Sequence, residues 1–168
     1  MKKIVSLALF IVVTINCKAQ SPVYNIGTND SSQEDGVYNK DVDNILNLFE
    51  GTYLYTNTTT NTTLKFVLEK NIMQYNGKYY EDLMIGEYEY KVNNVTILST
   101  LTNLNTIYTN QYFGHGISGN LIIDNQSRPP CADCAYNEKR LRLKFYDATT
   151  PRLNTDIIVR KIDVYESF

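Results

Sequence analysis

From Thr52 onward, apolar and polar residues alternate with the two-residue period of a half-buried strand. Leu64, Phe66 and Leu68 alternate with Lys65, Val67 and Glu69. Met84, Tyr88, Tyr90 and Val92 form one row, and Ile85, Glu87, Glu89 and Lys91 the other. Gly86 falls in the apolar row, where a glycine suits a sharp bend or a bulge. Further rows run from Ile107 to Phe113, from Ile117 to Ile123, through Leu141, Leu143 and Phe145, and from Ile157 to Val164. Asn76-Gly77 and Asn93-Asn94 are hairpin signals, because both pairs accept positive φ. With Thr52–Thr56 and Thr63–Lys70, this makes about eight strands with short turns, a pattern that predicts an antiparallel all-β fold. The expected architecture is an up-and-down barrel, which removes exposed edges; a β-sandwich is the alternative. Phe66, Tyr88, Leu121, Leu143 and Phe145 are the expected core.

Ahead of the strands the period changes. Val42, Ile45, Leu46 and Phe49 sit at i, i+3, i+4 and i+7, which predicts one short helix over Asp41–Phe49, with Asp41 and Asp43 at its positive end and Gly51 after it. The run from this helix into Phe49-Glu50-Gly51-Thr52-Tyr53 resembles the opening of lipocalin-like (calycin) barrels, where a short helix leads into Gly-x-Trp. Tyr53 stands at the Trp position, and the resemblance favours a barrel. Ser21 to Asn39 is polar and aperiodic and reads as part of a tether.

The first residues read as an address. Lys2 and Lys3 precede an uncharged, mostly aliphatic run from Ile4, too short to span hydrocarbon permanently, as in a secretory signal. Cleavage before Cys17 would free its thiol for lipidation; cleavage after Ala19 would use Cys17 and Ala19 as the small residues of the site. Lipidation at Cys17 is the preferred reading. The expected organisation is a signal over 1–16 (alternatively 1–19), a polar tether over 17–39 and a single barrel over 40–168. That places the protein in the cell envelope as an outer-membrane lipoprotein, held to the membrane through Cys17, or else secreted or periplasmic.

Composition narrows the chemistry. The chain of 168 residues has a net charge of −2 and a pI near 5.4, which argues against nucleic acid as a partner. A single His removes most metal and acid–base constellations, and no Gly-rich phosphate loop is present. Cys131-Ala132-Asp133-Cys134 lies in a polar loop without the second ligand pair of a structural zinc site. In an oxidising envelope it reads as a small-loop disulfide, with metal binding and free thiols as alternatives. His115, in Gly114-His115-Gly116, reads as a polar hairpin-loop residue or as a ligand or general base at a barrel mouth. Glu87 and Glu89 read as solubilising charge on an outer face rather than a carboxylate pair with Glu81. Tyr53, Tyr88, Tyr90 and His115 are the candidate ligand-binding residues. No catalytic set, metal or cofactor is expected.

The segments Asn16-Cys17-Lys18-Ala19-Gln20, Phe49–Tyr53, Tyr79–Tyr88 and Pro130–Cys134, the last followed by Asn137-Glu138-Lys139-Arg140-Leu141-Arg142-Leu143, are similar to an uncharacterised family of flavobacterial envelope proteins. The resemblance implies export and a bacterial source, and assigns no activity. The expected function is therefore non-enzymatic: a monomeric envelope lipoprotein holding a small apolar ligand in its barrel. The alternative is a structural module with a filled core that binds another envelope protein.

Overall fold

The alternating rows fold into one mixed, nine-stranded sheet. A computed structural model of the protein describes residues 21–26, 33–127, 129–150 and 153–161. The expected signal, Cys17 and the end of the row at Val164 lie outside the described residues. The strands are β1 (Val23–Asn25), β2 (Tyr38–Lys40), β3 (Gly51–Asn57), β4 (Thr62–Tyr75), β5 (Tyr80–Val92), β6 (Val95–Ser99), β7 (Ile117–Ile123), β8 (Arg140–Tyr146) and β9 (Asn154–Arg160). One short helix, α1 (Gln111–Gly114), precedes β7.

Strand β5 is the hub. Its 13 residues pair along one edge with β4, from Tyr75↔Tyr80 to Thr62↔Val92, and β4 pairs in turn with β3. The other edge is shared by three short partners: β2 at Tyr80 and Glu81, β7 at Met84 to Gly86, and β6 from Glu89 to Val92. Strands β8 and β9 extend the sheet beyond β7. β1 pairs parallel with β2, and β2 parallel with β5, so Val23–Asn25 and Tyr38–Asn39, inside the stretch read as a tether, belong to the sheet.

All-β is therefore correct, and the closed barrel is not. Among the described residues β3 pairs only with β4 and β9 only with β8, so the edges of these two strands stay open and the sheet does not close on itself. The expected helix over Asp41–Phe49 is a single 3-10 turn, Leu46–Phe49. Asn44 adopts positive φ (54°), which an α-helix cannot pass through. The Asp41 carboxylate instead accepts from Ile45 N (2.8 Å) and Leu46 N (2.9 Å) and pairs with Lys70 Nζ (2.8 Å). Asp82 ties this segment down: it accepts from Asp41 N and Met73 N (both 2.9 Å) and from the Tyr38 hydroxyl. Burial, and then the Asp82 carboxylate, hold the Tyr38 phenol well above its ordinary pKa.

The core lies against one face of the sheet. Leu46 and Phe49 project onto Leu68, Met84, Ile117, Leu141 and Leu143, with Tyr53, Phe66, Phe145, Ile157 and Val159 packed around them. Tyr88 and Leu143 are buried as expected, and Phe66 and Phe145 are partly buried. Leu121 is 53% exposed, contrary to expectation. The β7–β8 register advances from Ser118↔Lys144 to Leu121↔Arg142, so β7 carries one extra residue in a bulge. The bulge inverts the alternation, turning Leu121 outward and Ile122 onto the core. The Ile107–Phe113 row is not a strand: Ile107 is exposed, and the segment continues into α1.

Gly86 neither bends β5 nor bulges, since its pairing with Leu68 and Ile117 is regular. A Cβ there would lie 2.4 Å from Leu68 Cδ2 and 2.7 Å from the Val67 carbonyl oxygen. Gly86→Val should therefore destabilise by at least the ~1–3 kcal/mol of core overpacking, seen as a lowered melting temperature. An unchanged melting temperature would disprove that close contact.

Candidate functional site

The open edges define the first candidate site. β3 and β9 line a common groove of about 420 Å³. Tyr53, Phe66, Leu68, Ile157 and Val159 supply its apolar wall, because alternate positions of β3, β4 and β9 face the core side. The Tyr53 hydroxyl donates to the Phe49 carbonyl (2.9 Å), so the phenol is anchored to the 3-10 turn and leaves its ring for the groove. Burial raises the Tyr53 pKa, and the phenol stays neutral.

Arg160 closes one part of the rim. Its guanidinium is held by Glu138 Oε1 and by Asp133 Oδ2 (2.7 Å). The hydrogen bonds from Arg160 hold both carboxylates below the usual range. Asp133 lies between Cys131 and Cys134, whose sulfurs are at disulfide-bonding distance with Cα atoms 5.3 Å apart. The Cys-x-x-Cys loop is thus docked onto the end of β9 beside the groove. Cys131, Asp133 and Cys134 could bring ligand atoms within 4.8 Å of one another. Their engagement with each other and with Arg160 makes a tether rather than an open metal site.

The four candidate ligand residues lie in three places. Tyr53 is in the groove. Tyr88 and Tyr90 line a different hollow with Leu64, Ile97, Leu98 and Phe145. Tyr88 packs on Phe145 with ring centroids 4.8 Å apart, and its hydroxyl accepts from Ala148 N (2.9 Å). His115 is on the opposite face of the sheet.

His115 is not a loop-surface residue. It is 2% exposed, with Nδ1 2.9 Å from Glu87 Oε1 and Nε2 2.6 Å from Gln111 Oε1. Tyr108 meets the imidazole edge-on at 5.0 Å. Glu87 is likewise buried rather than solubilising, because the chain from the 3-10 turn Leu101–Asn103 to α1 folds back over this face of β5. Both imidazole nitrogens are engaged inside the protein, and no Ser, Thr or Cys among the described residues hydrogen-bonds to the ring. The cluster positions α1; it has no geometry for nucleophilic catalysis.

Leu68, Ile157, Val159 and Arg160 were not among the expected ligand residues. The alternating rows carried the first three, but the approach of β3 to β9 across an unpaired groove has no local signature. Among the described residues, no helix is long and apolar enough to cross a membrane.

These features define a single-sheet all-β protein in which the open edges of β3 and β9 flank an apolar groove. The chain belongs to the Family of unknown function (DUF6705), which it matches over residues 1–162. No curated protein and no solved structure gives a significant match.

Proposed function

We infer that the protein is a non-enzymatic, monomeric cell-envelope lipoprotein, anchored through Cys17, that holds a small apolar ligand between β3 and β9. The groove carries the reading: about 420 Å³, lined chiefly by aliphatic and aromatic side chains, is within the range of small-ligand sites. The open edges support apolar rather than polar cargo, because the walls between them offer few unengaged hydrogen-bonding side chains. Native mass spectrometry of protein taken from its own envelope should show a retained apolar ligand. N-phenyl-1-naphthylamine should brighten on binding, and Ile157→Asp should weaken it roughly tenfold, about 1.4 kcal/mol. Absence of both retained ligand and probe binding would overturn the reading.

The unpaired edges favour one second reading, in which a strand of another envelope protein adds to β3 or β9. Hydrogen exchange separates the two. A small ligand leaves the edge amides of β3 exchanging, whereas an added strand protects alternate ones.

The anchor has its own test. Mature protein should carry a diacyl or triacyl adduct on Cys17, and Cys17→Ala should move it to the soluble fraction. An unmodified N-terminal Gln20 would make it a secreted protein.

A further inference from the structure

We propose that a second site, on the sheet face opposite the apolar groove, binds a neutral saccharide in the cleft between the β4–β5 turn and α1. The cleft has a volume of about 430 Å³ and combines the rings of Tyr79, Tyr112 and Phe113 with Glu81 and the amides of Asn76 and Asn120. It lies on the other face because Glu81 and Glu87 share one row of β5, while Met84 and Tyr88 belong to the row facing the core.

The polar groups are set in place by the fold. Glu81, 8% exposed, accepts from Asn76 Nδ2 (2.9 Å) at one oxygen and from Asn120 Nδ2 (2.7 Å) at the other. Each carboxylate oxygen retains a lone pair. Asn120 Oδ1 and the Tyr112 hydroxyl make no hydrogen bond among the described residues, and neither is a buried orphan, so both are open to a ligand. The β7 bulge puts Asn120 here: the same extra residue that turns Leu121 outward sets the amide beside Glu81. Bulges recur where a side chain must be re-aimed at a site.

The aromatic wall is braced from behind. Asn110 caps α1 by accepting from Tyr112 N (3.0 Å), and its amide donates to the Asn76 carbonyl (3.1 Å), joining the two sides of the cleft. Ser118 Oγ donates to the Tyr112 carbonyl, and Gln111 is fixed by His115. The buried Glu87–His115–Gln111 cluster thereby acquires a role, as the support of α1. Burial raises the Tyr79 and Tyr112 pKa values, so both phenols remain protonated at neutral pH.

The chemistry selects the ligand class. A sugar ring offers an edge of hydroxyls to a carboxylate and amides, and a C–H face to an aromatic ring. A wholly apolar ligand would strip water from Glu81 without replacing it. Among the described residues no Lys or Arg lines the cleft, so a phosphate, sulfate or uronate would meet Glu81 without a counter-charge.

The test is calorimetric titration of the mature full-length chain with cellohexaose, maltohexaose, xylohexaose and chitohexaose, with hexagalacturonate as the charged comparator. At least one neutral hexasaccharide should bind saturably, and hexagalacturonate should not. Tyr112→Ala and Asn120→Ala should each weaken binding tenfold or more. Phe113 is 72% exposed, so Phe113→Ala tests the wall without threatening the fold, and should also weaken binding. N-phenyl-1-naphthylamine binding at the β3–β9 groove, retained in that variant, controls for folding independently. Saturation by none of the neutral sugars, equal binding of hexagalacturonate, or binding untouched by the three substitutions would overturn the proposal.

Discussion

Phe49→Ala is expected to lower stability by about 3–5 kcal/mol, and Leu46→Ala by about 2–5 kcal/mol. Both side chains are fully buried, and both come from a 3-10 turn rather than from the sheet. In a closed barrel, strands surround the interior; here the sheet is open, and this turn packs against one face of it, on Leu68, Met84, Ile117, Leu141 and Leu143. Removing the Phe49 ring leaves a cavity walled by residues fixed on four different strands, which cannot all move inward together. The loss should exceed that of Phe145→Ala, because Phe145 is only partly buried although it packs on Phe66 and Tyr88. Urea unfolding would show a lower midpoint at unchanged m-value. A loss for Phe49→Ala no greater than for Phe145→Ala would mean that the turn does not cap the core.

The strands and tight turns were legible because they are local. Asn93 and Asn94 both take positive φ, 51° and 61°, between Val92 and Val95, as a two-residue hairpin demands. Gly77 does the same between β4 and β5. What failed was every inference that needed the number of faces covered. Glu87 and Glu89 read as solvated when a strand is assumed to bury one side. The segment after β6 covers part of that side, burying Glu81 and Glu87 while Glu89 stays with Lys91 near the surface. Hydrophobic period cannot reveal this, because the covering segment contributes Gln111, Tyr108 and a short helix rather than an apolar stripe. The bulge in β7 was hidden for the same reason: Gly119 permits it (φ 147°), yet nothing in its neighbours states which residue is extra. Closure was undecidable from rows alone, since it depends on whether β3 and β9 meet.

His115→Phe should cost about 1–3 kcal/mol, the range for leaving a buried hydrogen-bonding group without its partner. The substitution keeps a ring against Tyr108 but leaves Glu87 with only Gly116 N, at 3.4 Å, as a neighbouring donor. Glu87 Oε2 is already a buried oxygen without a partner, so the carboxylate has little in reserve. Water cannot readily compensate, because the side chains of His115 and Glu87 are 0% and 1% exposed. Glu87→Leu in the His115→Phe background removes the stranded carboxyl group and should restore most of the loss. The reason is that replacing both partners of a buried hydrogen bond by apolar groups of similar shape is often nearly neutral. The two substitutions should therefore be strongly non-additive, with a coupling energy toward the upper part of the ~0.5–3 kcal/mol range for contacting residues. Since Gln111 and Tyr112 ride on the same short helix, the double variant should also keep α1 docked and the cleft intact, readable as unchanged hydrogen-exchange protection at Tyr112 N. Additive losses in the cycle would show that Glu87 and His115 contribute as separate packed side chains and not as a pair.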